Sequence, residues 1–238
     1  MKRPPWVLAF MAFLPAIAHA QSVAIDLGAA GQAGATARIV QLTALVTVLS
    51  LAPSLLVMVT AFTRIVIVLS LLRTALGTQG APPNTVLIGL ALFLTWFVMQ
   101  PVFEQSWTAG IAPMMDNKLA EIDGIKAAAE PFRAFMLHNL RGDDLSFFQT
   151  LGHAASGDTS WRLVMPAFMV GELRRAFEMG FLLFLPFLVI DMVVASVLMS
   201  LGMMMLPPNV VSLPFKLVFF ATVDGWRLVA GGLVKTFG

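Results

Sequence analysis

The sequence predicts an all-α membrane protein: two long, kinked helical hairpins with a small helical insert between them. Three observations lead there. Hydrophobic residues fill 58% of the 238 positions and charged residues only 12%, with a mean hydropathy of +0.86. Soluble domains hold about half apolar and about a quarter charged residues. Apolar runs of helical length recur, divided by proline and glycine clusters. One stretch, 104–162, departs from this pattern and carries eight of the 13 acidic residues.

Residues 1–20 have the three parts of a secretory signal: Lys2 and Arg3, an apolar core from Trp6 to Ile17, and Ala18-His19-Ala20 as the cleavage site. The core is short for a span of about 20 residues. Cleavage is therefore expected between Ala20 and Gln21, with the mature N-terminus outside the cytoplasm. Without the signal the chain has as many basic as acidic residues. No clustered basic surface points to nucleic acid. Residues 21–38, rich in Ala and Gly, read as a flexible lead-in.

The first hairpin is expected over 39–103. Ile39 to Leu72 is one apolar run, interrupted by Pro53 and holding Arg64, which needs a partner or a path to water. Gly77-Thr78-Gln79-Gly80-Ala81-Pro82-Pro83 is a turn cluster, and Asn84 or Thr85 can cap the next helix. That helix, Val86 to Phe103, is long enough to span, with Trp96 and Trp107 near its outer end.

The insert, 104–162, is expected to be an amphipathic helical hairpin outside the cytoplasm. Leu119, Ile122 and Ile125 form one helical face, and Phe132, Phe135, Met136 and Leu140 another. Glu130-Pro131 should separate the two pieces. His138 and His153 have no partner at metal spacing and read as packing residues. There is no cysteine, no phosphate loop and no nucleophile motif, so neither a catalytic centre nor a cofactor or metal site is indicated.

The second hairpin is expected over 163–238. Pro166 to Met205 reads as one helix, and Val210 to Leu233 as the last apolar run, containing Pro214, Lys216, Asp224 and Arg227. Near the start of the first arm, Glu172 and Arg175 are three apart, and Arg174 and Glu178 four apart, so each pair shares a face. The cluster fits a solvated face or an ion-pair belt between subunits. Deeper in, Asp191 and Lys216 are lone charges, each costing about 2.5–3.5 kcal/mol unless paired. Their midpoint falls between Met203 and Met204. If the chain reverses there, both sit about 18 Å from the bend at 1.5 Å per residue. A reversal at Pro207-Pro208 would offset them by about 12 Å. The pair can serve as a structural ion pair, a proton-coupling pair or an intersubunit contact. Met203-Met204-Met205 can be apolar filler, or a deformable seal if copies ring an axis, since thioethers re-pack easily and apolar constrictions exclude ions. Four simple spans would put both termini and the insert on one side.

Three stretches carry a resemblance. They are Pro166-Ala-Phe-Met-Val-Gly-Glu-Leu-Arg-Arg-Ala-Phe-Glu-Met-Gly-Phe181, Pro214-Phe-Lys-Leu-Val-Phe-Phe-Ala-Thr-Val-Asp-Gly-Trp226, and Phe62-Thr-Arg-Ile-Val-Ile-Val-Leu-Ser-Leu-Leu-Arg leading to Ala75-Leu-Gly-Thr-Gln and Pro82-Pro-Asn84. They resemble the FliP family, the P subunits of the bacterial flagellar export gate, whose relatives serve injectisome secretion systems. Gly171 stands where that family often carries a small hydroxyl or His. The Gly-Thr-Gln turn and the signal favour the flagellar branch. The resemblance implies several copies, five in the expected assembly, forming a helical, conical channel with Q and R subunits beside other export-apparatus membrane proteins. It implies passage of unfolded flagellar proteins, no bond chemistry, and a multi-pass place in the inner membrane at the flagellar basal body. It also implies that Met203–Met205 form the pore gasket, that Asp191 and Lys216 are paired membrane charges, and that much of the cone stands above the membrane plane. The alternative is a stand-alone proton-coupled or small-solute transporter using Asp191 and Lys216.

Overall fold

A computed structural model describes residues 40, 42–44, 46–47, 50–51, 54, 57–78, 80–203 and 205–238. The signal segment with Ala20 and Gln21, the lead-in, Pro53 and Met204 lie outside the described residues. The chain divides into two compact units, Met1–Ser50 and Leu51–Gly238. In the first, the described positions are helical. Everything below concerns the second, which is all-helical among the described residues.

A turn at Val59–Ala61 precedes α1, Phe62–Leu76, so the apolar run expected over 39–72 is divided there. Hydroxyls supply the reason: Thr60 and Thr63 both donate to the Val57 carbonyl, at 3.4 and 3.2 Å, competing with helical backbone bonds. α1 ends at Gly77, whose φ of 72° closes the helix with an N–H bond to the Thr74 carbonyl at 3.1 Å. After the turn, α2 spans Asn84–Ser106 and passes Phe103 without a break, through a π-helical turn at Trp107–Ile111 and α3 at Ala112–Met115. Asn84 is the first helical residue rather than a side-chain cap; its Oδ1 accepts from Arg73.

The π turn lies where α4, Glu121–Asn139, crosses α2. A Cβ on Gly110 would fall 2.3 Å from the Gly124 carbonyl oxygen, so the two backbones touch. The Ser106 hydroxyl adds a 2.7 Å bond to the Ala128 carbonyl. Pro131 sits inside α4 and does not separate two pieces as expected. It takes one backbone bond from the helix but is buried against its neighbours, and that packing carries the helix through. Phe132, Phe135 and Met136 pack inward, whereas Leu119, Ile122 and Ile125 are exposed, so only the second expected face joins the core. α5, Gly142–Leu151, packs on α6.

α6 runs from Trp161 to Ser200, about 60 Å at 1.5 Å per residue, despite Pro166 and Pro186. It packs along α1. Gly180 allows the approach, because a Cβ there would lie 2.2 Å from Leu71 Cδ1. Ile65, Val68, Leu69 and Leu72 of α1 form the core with Leu87, Ala91 and Met99 of α2 and Ala176 and Phe187 of α6. The last apolar run is two helices, α7 Pro208–Thr222 and α8 Gly225–Lys235, bent by 63°. The break falls at Asp224, whose φ is 51°, and at Gly225, where a Cβ would overlap the Phe220 ring. Pro82-Pro83-Asn84 and Pro207-Pro208-Asn209 both stand at helix starts.

Two helical stretches are long and apolar enough to cross a membrane among the described residues: 84–115, whose most apolar window has a mean hydropathy of 2.1, and 161–200, whose most apolar window has 2.6. The bent α7–α8 pair qualifies as a third. Where four simple rods are expected, the described residues hold two single helices and one broken pair, and much of the first expected rod lies outside them. Only 11% of the most apolar window of α6 is buried within the chain.

Candidate functional site

Every charge that the apolar helices carry into the core has a partner, and those partners define the site. Arg64 projects from the first turn of α1, and Glu172 from α6, both at 1% side-chain exposure. The guanidinium meets the carboxylate with two parallel bonds, Nε to Oε2 at 2.8 Å and Nη2 to Oε1. Its remaining edge donates to the Thr236 carbonyl at 3.1 Å and hydroxyl at 3.0 Å, and its face lies 3.7 Å from the Phe237 ring centre. Arginine suits this position because its planar fork matches a carboxylate while its face stacks on an aromatic ring.

A second set of charges lies further along α6. Lys216 of α7 donates to Asp191 Oδ2 at 2.7 Å and to the Ala75 carbonyl of α1 at 3.1 Å. Ser212, one turn before Lys216 and fully buried, donates to Asp191 Oδ1 at 2.5 Å. Lys216 is 6% exposed and Asp191 31%, so the pair has one wet edge. Two opposite charges, a hydroxyl and a helix-end carbonyl thus tie α1, α6 and α7 at one level. The chain reverses between Ser200 and Pro208, with Gly202 at φ 74°. Met203 is 48% exposed and Met205 97%.

The charges of the cluster on α6 find their partners off their own face. Arg174 does not pair with Glu178. Arg174 reaches Asp144 of α5 at 3.4 Å, while Glu178 pairs with Arg141 at 2.9 Å. Both choices follow from α5 packing across this face of α6, which supplies closer opposite charges. Arg175 stands 3.9 Å from Glu172, whose oxygens Arg64 already holds. Glu172 is wholly buried inside the chain and faces Arg64, so it does not present itself to a neighbouring chain as an interface residue would. Arg174 and Glu178 keep about half of their side-chain surface exposed.

Sequence reasoning missed Glu172 as the partner of Arg64, Ser212 as the third member of the Asp191–Lys216 set, and the capping of Arg64 by Thr236 and Phe237. Ser212 carried a signal, since it stands four residues before Lys216 on the same helical face.

The arrangement defines a class: an all-helical membrane protein whose long apolar helices are registered by buried ion pairs and joined by an exposed, methionine-bearing bend. A profile of the FliP family matches residues 45–233. The chain belongs to that family. It is 57% identical over 230 residues to the flagellar biosynthetic protein FliP of Caulobacter vibrioides, covering 95% of this chain and 86% of the relative. It is 44% identical to the Agrobacterium fabrum protein of the same name, covering 97% of each chain. It is 50% identical over 202 residues to that of Bacillus subtilis, covering 83% of this chain and 91% of the relative.

Proposed function

We propose that this chain is a subunit of the flagellar protein export gate, and that several copies, five in the simplest assembly, join Q and R subunits in the inner membrane around a path for unfolded flagellar proteins. The observation that carries the reading is the family assignment, together with near-full-length relatives named for flagellar biosynthesis. The structure adds a physical motive for assembly. Among the described residues, only 11% of the most apolar window of α6 is buried, which leaves a face that neighbouring subunits can cover.

In this reading Met203–Met205 form the seal. The bend lies at the tip of the α6–α7 arm, Met205 is almost fully exposed, and unbranched thioethers adapt to whatever closes against them. Asp191, Lys216 and Ser212 fix the register of that arm on α1. Arg174, Arg175 and Glu178 contribute to contacts between subunits. The family assignment gives no support to a stand-alone transporter.

The test is the mass of the detergent-extracted complex with Q and R subunits co-expressed, followed by ion leak. A multi-subunit particle is expected. Replacing Met203–Met205 by glycine should leave that particle intact and raise ion leak across cell membranes. A lone, self-sufficient chain, or an unchanged leak in an intact complex, overturns the reading.

A further inference from the structure

Among the described residues, Met205 is the most exposed of the large apolar side chains, at 97%, and Met203 is about half exposed. Both lie in the bend between α6 and α7, outside any helix. The backbone there is open as well. Among the described residues, neither the N–H nor the carbonyl of Met205 makes a backbone hydrogen bond, while the Met203 N–H reaches back to the Leu198 carbonyl at 3.0 Å. Unpaired peptide groups need water, so the bend is wet and its thioethers stand beside that water. Other methionines are placed differently. Met99 and Met136 are fully buried. Met58, Met115, Met192 and Met199 are exposed, but each stands on a helix.

A thioether beside water is the one an oxidant reaches first, and oxidation turns an apolar side chain into a polar one. Sulfur gives up two electrons, the O–O bond of a peroxide breaks, one oxygen bonds to sulfur and the other leaves as water. The product is a sulfoxide, whose oxygen accepts hydrogen bonds where the thioether is only a weak acceptor. An apolar constriction excludes ions only while it stays dry. We propose that Met205 and Met203 are sites of reversible oxidation by peroxide, Met205 ahead of Met203, and that their sulfoxides wet the bend and open it to ions. The effect on ions rests on Met203–Met205 forming the seal, whereas the site of oxidation does not. Sulfoxide reductases reverse the step: the oxygen leaves as water and two thiols are joined as a disulfide.

The experiment uses the full chain with co-expressed Q and R subunits, reconstituted in phospholipid vesicles and treated with hydrogen peroxide. Peptide mass spectrometry reads a gain of about 16 Da at each oxidised methionine, and ion leak is followed in the same sample. Met205 should gain oxygen before Met203, with Met99 and Met136 unchanged. Leak should rise about tenfold, the factor that one hydrogen bond gained by permeating water is worth, and sulfoxide reductases with dithiothreitol should restore the seal. M203L/M204L/M205L keeps apolar side chains of similar volume without sulfur, so it should stay sealed and ignore peroxide. M115L, which removes an exposed thioether on α3, should respond like the parent. If the triple variant does not assemble, M205L and the reductase step on the parent carry the test. Bend methionines that stay unmodified while Met115 takes up oxygen overturn the site. A leak that rises equally in the leucine variant places the oxidised group elsewhere and overturns the proposal too. Sulfoxide at Met205 with an unchanged leak overturns its effect on ions, and the glycine variant then tells what has failed: if it leaks, the seal stands and only the oxidation proposal falls; if it is tight, the seal falls with it.

Discussion

The guanidinium of Arg64 and the carboxylate of Glu172, 108 residues apart, form a two-bond ion pair in which each side chain is 1% exposed. Removing one partner strands the other charge in the core and costs about 3–5 kcal/mol. Replacing both with apolar residues of similar volume leaves no stranded charge and is often neutral. E172Q and R64M should each lower the melting temperature in detergent sharply, and the R64M/E172L double variant should recover most of the loss. A double variant as unstable as the sum of the singles would show that the two charges act independently.

Gly171 and Asp144 define a second test. Asp144 Oδ2 is buried and has no hydrogen-bond partner among the described residues, and a Cβ on Gly171 would lie 3.1 Å from it. A serine there could donate its hydroxyl to that oxygen after a shift of a few tenths of an ångström. Alanine could only crowd it. Alanine is the better helix former, so propensity alone ranks G171A above G171S. The geometry reverses the order, with G171S more stable by about 1 kcal/mol, the worth of one hydrogen bond. Thermal unfolding of the two variants in the same detergent decides between the two rankings.

The long apolar helices were legible in the sequence because composition alone demands them. The Asp191–Lys216 contact was legible too, because hairpin geometry ties two positions equidistant from a bend to one level. Arg64–Glu172 was not, because no turn links those positions and several acids could have answered Arg64. Spacing puts Arg174 and Glu178 on one face of α6, but spacing on one helix is blind to α5, which brings Asp144 and Arg141 to them. Pro131 looked like a boundary, yet packing carried the helix through it. The uneven fate of the insert's apolar residues has the same origin: Leu119, Ile122 and Ile125 match Phe132 and Met136 in type, and only the tertiary fold determines which of them find a core.

The insert should loosen in acid. Arg133 clamps it by holding Glu130 at 2.9 Å and reaching the Thr159 carbonyl at 3.1 Å. The hydrogen bond from Arg133, aided by its charge and opposed by slight burial, holds the Glu130 carboxyl below its ordinary value of 4.5. The backbone N–H of Ser160 is the main cause holding Asp158 below 3.8. A lowered folded-state value gives stability that is fully present above the unfolded value and is lost as pH falls through the folded one. The clamp is therefore intact at neutral pH and weakens below about pH 4.5, by under 1 kcal/mol for Glu130 because that pair is exposed. Hydrogen exchange across 121–162 should rise in that window, and E130Q should exchange faster at neutral pH and respond less to acid. Identical acid responses in E130Q and the parent would remove Glu130 from the account.

Asp191 and Lys216 give the last test, because their surroundings are not symmetric. D191A strands an ammonium that is 6% exposed, and K216A leaves a carboxylate with Ser212 as its remaining donor and a wet edge. D191A should therefore be the more damaging change to folded yield and to export-dependent motility. The swap D191K/K216D restores opposite charges at one level, and the new ammonium can donate to the Ser212 hydroxyl, but the new carboxylate would face the Ala75 carbonyl, which repels it. Because the carboxylate–carbonyl clash at Ala75 remains, the swap should recover part of the activity lost in the worse single variant, and less than all. Full recovery would mean that only the pair's charges matter and that the tie to α1 through Ala75 is incidental. A swap no better than either single change would mean that the two charges do not act as a pair at all.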